Sequence, residues 1–282
     1  MSTFFAIRES FESPAGNTSH NSAKGLLTYK MKDVYIAGIR IDNLTFNEAT
    51  SRIEDLIKQQ KPSYVVTPNV DHINQLHDDP EFFEIYRNAD LVLVDSMILL
   101  WSAKYLNTPF KEKISGSDLF PALCETASSK GYKIFLLGGR PGAAEKAIEE
   151  IKKKHPLITI AGSYCPPYGF EKDEEENQGI IEMIQKARPD ILFVGLGAPK
   201  QEKWIYRNMN ACSVPVSIGV GVTFEFIARM VKRAPVWMQK NGLEWLWRLI
   251  QEPTRLWKRY FKDLAFFFLI LKQKREQKNS KY

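Results

Sequence analysis

The sequence predicts an α/β protein: a Rossmann-like parallel sheet covered by helices on both faces, followed by a C-terminal helical appendage. Three observations point there. Short, continuous apolar runs such as KIFLL at 133–137 and ILFVG at 191–195 recur along the chain. Uninterrupted runs of that length fit strands buried on both faces. Amphipathic stretches separate them, the alternation expected of parallel strands joined by crossover helices. After Phe226 the strand pattern stops. Residues 229–282 then hold fourteen Lys and Arg against four acids, a net +10, while the whole chain is +6.

Residues 1–30 are rich in Ser, Asn and Gly without periodicity and read as a disordered leader. Residues 31–228 form the α/β part, and 229–282 the appendage. In the α/β part, 34–38 (VYIAG) reads as the first strand and 46–60 as a helix with Leu56 and Ile57 on its apolar side. A strand at 64–67 leads into a helix from about Val70. A strand at 91–94 precedes the helix Met97–Tyr105. The strand at 133–137 runs through GGRPG into the helix Ala143–Lys154, and strands at 158–162, 191–195 and 216–220 close the series. In the appendage 242–251 reads as a helix, and Pro253 ends it or begins another. One last helix then carries Leu256, Tyr260, Leu264, Phe267 and Leu271 at three-to-four spacing, with Arg255, Arg259 and Lys262 on another face.

Composition narrows the function. A content of 44% hydrophobic and 26% charged residues excludes a disordered or fibrous chain. The three cysteines (Cys124, Cys165, Cys212) lack CxxC spacing, which argues against a disulfide framework or zinc site and for a reducing compartment. The first residues lack the basic and apolar regions of a signal peptide. The apolar run at 264–271 is far short of the ~20 residues that span a bilayer. Cations interleaved with Trp237, Trp245, Trp247, Trp257 and the Phe run at 266–268 suit an anionic membrane surface. The expected location is cytoplasmic, peripheral on the inner face of the cell membrane. A helical hairpin packed on its own domain, its charges solvated, is the alternative. Nucleic acid is not expected, since no RGG or RNP-like pattern occurs.

Ligands of open parallel sheets bind outside the carboxyl ends of the strands. Thr67 and Asn69 follow the second strand and can project toward one ligand, with a helix cap as the alternative for Asn69. Asp95 ends the third strand, placed either as a general base or as a helix cap. Asp118 in the GSDL turn reads as an N-cap. Two Gly-rich turns, one with Gly138 and Gly139 and one with Gly195 and Gly197 leading into Lys200 and Gln201, offer backbone N–H groups to a phosphate. Neither turn is a Walker A nor a GxGxxG fingerprint, so a phosphorylated nucleotide fits better than a nicotinamide cofactor. No residue cluster has metal-ligand spacing, so no metal and no cofactor is expected.

These blocks, in order, resemble the WecG/TagA/CpsF family of bacterial glycosyltransferases. The resemblance runs from about Val34 to about Tyr260, through TPNVDH at 67–72, GSDL at 116–119, FLLGG at 135–139, GLGAPKQE at 195–202, GVGVTF at 219–224, RAPVW at 233–237 and GLEWL at 242–246. It implies an inverting, metal-independent transfer of a sugar from a UDP donor to a polyprenyl-diphosphate-linked acceptor in surface polysaccharide or teichoic acid synthesis. The first guess for the sugar is an N-acetylmannosamine type. It also implies Asp95 as base, Thr67, Asn69 and Gln201 in the pocket, and an appendage that meets the membrane with Arg248, Arg255 and Arg259 near the diphosphates. Arg233 is grouped with these. Lys113 stands where the family has Arg, and a point charge replaces a bidentate fork. Ser96, Met97 and Ile98 follow Asp95 where Gly and a later Pro are usual, and Glu225 replaces an Asp. A homo-oligomer is left open. So are a cytosolic enzyme using another nucleotide cofactor and a non-catalytic membrane scaffold.

Overall fold

The computed structural model describes residues 33–279, without the side chains of Arg255 and Arg259. The proposed leader at 1–30 lies outside the described residues. The described chain opens with an antiparallel hairpin of β1 (Val34–Ile36) and β2 (Ile39–Ile41). Its two-residue turn places Ala37 at φ 50° and Gly38 at φ 83°. Two left-handed residues match the strand twist, and Gly38 adopts that conformation without a Cβ clash. The expected first strand of the parallel sheet is therefore corrected: the chain reverses after Ile36 and builds a separate two-stranded sheet. Asp42 fastens the hairpin to the main sheet. Its N–H donates to the Val92 carbonyl at 2.9 Å, and its Oδ2 accepts from the Val92 N–H at 2.7 Å.

Helix α1 (Phe46–Gln59) starts at a reciprocal cap, with Thr45 and Glu48 each bonding the other's backbone N–H. Then come β3 (Ser63–Val66), α2 (Val70–Asp78), α3 (Pro80–Arg87), β4 (Leu91–Val92), α4 (Met97–Tyr105), α5 (Gly116–Lys130), β5 (Lys133–Gly138) and α6 (Ala143–Lys154). After these follow β6 (Thr159–Tyr164), a 3-10 turn (Phe170–Lys172), α7 (Glu174–Ala187), β7 (Ile191–Gly195), α8 (Lys200–Cys212), β8 (Val216–Gly219) and α9 (Thr223–Ile227).

Six strands form one sheet in the order β4-β3-β8-β7-β5-β6, with every neighbouring pair parallel. Successive strand residues feed opposite cores. Tyr64 and Val66 join one core with α2, α3, α7 and α8, while Val65 joins the other with α1, α5 and α6. Both faces are covered, which is why the strands read as unbroken apolar runs. From β4 the chain crosses to β5 on the far side of the sheet, and this crossing puts β5 and β6 away from β3 and β4.

The C-terminal segment holds α10 (Val236–Lys240), α11 (Glu244–Gln251), α12 (Pro253–Asp263) and α13 (Ala265–Asn279). The single last helix expected from periodicity is two helices. At Leu264 the ladder tightens, its N–H donating to Phe261 at 3.3 Å, and the chain restarts. The described residues form one compact unit. The described part of the C-terminal segment is thus not packed by itself: Phe266 (0% exposed) and Ile270 (5%) sit in the same core as Val34 and Ile36. Gln273 completes the seam, accepting from the Ala37 N–H and donating to the Tyr35 carbonyl, both at 2.8 Å.

Phe266→Ala should therefore lower the unfolding free energy of the whole protein by about 3–5 kcal/mol, the usual cost of emptying a phenylalanine site. Urea unfolding followed by circular dichroism checks this. A loss confined to a few tenths of a kcal/mol would show that α13 is not part of the core.

Candidate active site

A cleft of about 930 Å³ opens at the carboxyl ends of β3, β4, β7 and β8. Its floor comes from residues that follow those strands: Thr67 and Asn69, Asp95, Gly197, and Gly219 with Val220. Its roof comes from α11, α12 and α13.

Asn69 caps α2. Its Oδ1 accepts from the His72 N–H at 3.3 Å, and His72 Nδ1 accepts from the Asn69 N–H at 3.0 Å. The capping alternative is therefore realised, and Asn69 lines the cleft as well. Gln201, 4% exposed, lies across the end of β8. It accepts from the Gly221 N–H at 3.0 Å and donates to Glu202 Oε1 at 2.8 Å. A Cβ on Gly219 would come within 2.7 Å of its amide nitrogen and would push Gln201 from this position. Burial pushes the Glu202 carboxyl up to about 7, against the hydrogen bond from Gln201.

Asp95 is not a cap. Ser96 caps α4 instead, its Oγ accepting from the Ile98 N–H at 3.2 Å. The Asp95 carboxyl is left in the cleft, deep among protein atoms yet with partial solvent access. Its place is fixed by backbone: the Asp95 N–H donates to the Pro68 carbonyl at 2.9 Å, and the Ile114 N–H donates to the Val94 carbonyl at 2.8 Å. That second bond holds Lys113 beside the carboxyl. Burial raises the Asp95 pKa to about 8. Lys113 and Arg248 oppose the rise, and Glu244 and Asp118 add to it.

Charged groups from the core and the appendage meet above Asp95. Glu244 at the start of α11 lies 3.7 Å from Lys113 Nζ, 3.9 Å from Arg248 and 4.0 Å from Arg233 Nε. Arg233 also pairs with Asp118 at 2.7 Å. The N-cap expectation for Asp118 is corrected: Ser115 caps α5, and Asp118 stands three residues on, where it accepts from the Ser115 hydroxyl at 2.6 Å. Arg233 Nε and Nη2 are buried without a hydrogen-bond partner among the described residues. Arg248 lines the cleft, with its guanidinium 5.5 Å from the Phe226 ring centre. Arg255 and Arg259 lie on α12, and their side chains fall outside the described part.

The cleft thus gathers Thr67, Asn69, Asp95, Lys113, Gly197, Gln201 and Arg248. Gly138, Gly139, Gly195, Lys200 and Arg233 do not line it. Strand order is the reason for the first two, since β5 lies beyond β7. The N–H groups of that turn are engaged within the protein: Gly139 donates to Gly195 at 2.8 Å, and Arg140 to Glu225 Oε1 at 3.0 Å. Lys200 pairs with Glu171 at 2.7 Å and lies 4.9 Å from the Tyr168 ring centre. Sequence reasoning missed Glu244 and the α4 residues Trp101 and Tyr105, all of which line the cleft. The four-residue spacing of Met97, Trp101 and Tyr105 was the available signal for one helix face. Among the described residues no three His, Cys, Asp or Glu side chains converge as a metal site.

A doubly wound parallel sheet with a carboxylate-bearing cleft at its switch region is the arrangement in which open α/β enzymes bind their substrates. The profile of the Glycosyl transferase WecG/TagA/CpsF family matches residues 34–280, and the chain belongs to that family. It is similar to two proteins named N-acetylglucosaminyldiphosphoundecaprenol N-acetyl-beta-D-mannosaminyltransferase. The one from Bacillus spizizenii is 30% identical over 86% of this chain and 94% of its own. The one from Bacillus subtilis is 32% identical over 71% and 75%. A protein of the same name from Staphylococcus aureus is 29% identical over 88% and 96%.

A carboxyl whose folded pKa is raised stabilises the fold only while protonated. The contribution is complete below the unfolded value near 3.8 and is lost as pH rises through about 8. Asp95→Asn, which stays neutral, should gain stability over the native protein as pH rises, levelling off above about 8. Urea midpoints from pH 5 to 9 test this, and a pH-independent difference would refute the raised proton affinity.

Proposed function

We propose that the protein moves an N-acetylhexosamine, of the N-acetylmannosamine type, from a UDP-sugar to a sugar carried on undecaprenyl diphosphate. The relatives' names support the transferred sugar and the acceptor. The single observation that carries the chemistry is Asp95: a carboxyl at a strand end, in the cleft, with its pKa raised to about 8 and cations on one side. A base with that proton affinity takes a proton efficiently near neutral pH.

In the proposed step Asp95 Oδ accepts the proton of the acceptor hydroxyl as that oxygen bonds to the anomeric carbon of the donor. The bond from that carbon to the UDP oxygen breaks on the opposite face, so the anomeric configuration inverts. Lys113 and Arg248 meet diphosphate charge at the cleft, and Thr67, Asn69 and Gln201 orient the reacting sugars. In this reading the reaction runs on these cations instead of a metal. Among the described residues no helix is long and apolar enough to cross a membrane. The outward aromatics Trp237, Trp257, Phe261 and Phe268 are 54–74% exposed among basic residues, which supports attachment at an anionic membrane surface.

Screening UDP-sugars for UDP release, with and without a short-chain diphosphate-linked N-acetylglucosamine, tests the reading. Release that depends on the acceptor is expected, and failure with every UDP-sugar would overturn it. Asp95→Asn should keep UDP binding and lose roughly 10²–10⁴-fold in turnover. The native kcat/KM should climb as pH rises through about 8, because the base form appears there. A flat profile, or near-native turnover in the variant, removes Asp95 from the role of base. EDTA should leave transfer intact; loss on chelation with recovery on added magnesium would disprove the metal-free step.

A further inference from the structure

The apolar stripe on α12 and α13 does not face outward. Leu256, Tyr260, Leu264, Phe267 and Leu271 all line the cleft, whereas Trp257, Phe261 and Phe268 on the same helices do not. Across from the stripe stands one face of α4: Met97, Ile98, Trp101 and Tyr105. Trp101, Tyr105, Leu264, Phe267 and Leu271 are each about half exposed, between 46% and 51%. The cleft is therefore two-natured. One end holds Asp95, Lys113, Glu244 and Arg248. From there an apolar trough follows α4 for its nine residues, about 13 Å at ~1.5 Å per residue. Near its far end Lys274 fastens α13 to α4, donating to the Tyr105 carbonyl at 2.7 Å and lying 5.2 Å from the Tyr105 ring centre.

Cations continuous with a greasy trough match an amphiphile whose diphosphate joins directly to a hydrocarbon chain. We propose that this trough seats the first isoprene units of the acceptor's lipid, the remainder of the chain running on into the bilayer. The inference rests on the acceptor class proposed above. It assigns the inward apolar set to the substrate and leaves the outward set, Phe268 among them, to the membrane. The sugar on the far side of the diphosphate is then directed toward Asp95, because the chain is held at the opposite end of the cleft.

The test uses the full-length protein and sugar-free probes: inorganic diphosphate and geranyl, farnesyl and geranylgeranyl diphosphate, titrated calorimetrically below their aggregation limits. A buried CH₂ strengthens binding about fourfold. Two carbons covered per isoprene unit should tighten binding on the order of tenfold per unit until the trough is full. Phe267→Ser should weaken farnesyl diphosphate about tenfold and leave inorganic diphosphate unchanged. Phe268→Ser, one residue on, should change neither. Trp101→Ala supplies a second variant from the opposite wall, and melting curves verify that each is folded. Affinity independent of chain length, or equal losses in Phe267→Ser and Phe268→Ser, would overturn the proposal. So would a Phe267→Ser protein that binds farnesyl diphosphate normally but sediments less with anionic vesicles, since the trough would then belong to the bilayer. Because no probe carries a sugar, chain-length-dependent binding without UDP release would support the trough and count only against the transfer reading.

Discussion

Past the end of β4 the backbone keeps its pairing although the strand is only two residues long. Leu93 donates to Val66 and Asp95 to Pro68, both at 2.9 Å, and Ile114 donates to Val94 at 2.8 Å. These three bonds bring the segments after β3, after β4 and before α5 to one point. They fix Asp95 opposite Thr67 and Asn69 and carry Lys113 alongside. Without that knot the carboxyl would hang from a loop and ionise like any exposed aspartate. Held by it, the group stays among protein atoms, and its proton is retained to higher pH.

The charges above the knot belong to two parts of the chain. Lys113 and Asp118 come from the α/β core, and Arg233, Glu244 and Arg248 from the C-terminal segment. Glu244 stands 3.7–4.0 Å from its three cations, longer than hydrogen bonds. Its charge offsets theirs while leaving their donors largely uncommitted, Arg233 Nε and Nη2 among them. In the proposed reaction the diphosphate meets Lys113 and Arg248, which line the cleft, while Arg233 holds Asp118 and stands beside Glu244. The C-terminal segment thus supplies three of these five charges and, through Phe266 and Ile270, part of the core as well.

Much of this was legible in the sequence where the signal is local. The helix Ala143–Lys154 has the bounds its amphipathic pattern gave, and Asp95 was found because it directly follows an apolar run. Three features were not legible. The hairpin turn at Ala37 and Gly38 lies inside what reads as one continuous strand, and only the backbone torsions reveal the reversal. The turn at Gly138 and Gly139 was read correctly as a strand end, but whether a strand end borders the cleft depends on strand order, which no periodicity encodes. The stripe from Leu256 to Leu271 was visible as a period. Which surface it faced was not, because a helix pattern shows that a face is apolar and leaves open what covers it.

The seam between Gln273 and the β1–β2 hairpin joins residues 236 positions apart in sequence. At a synthesis rate of roughly 5–20 residues per second, the hairpin emerges from the ribosome about 12–47 s before its partner. Through that interval Val34, Ile36, Ile39 and Ile41 have no α13 against which to complete their core. The nascent protein must therefore carry an open apolar face through that interval, and residues near Gln273 act as the closing stitch of a fold whose earliest described strands wait for α13.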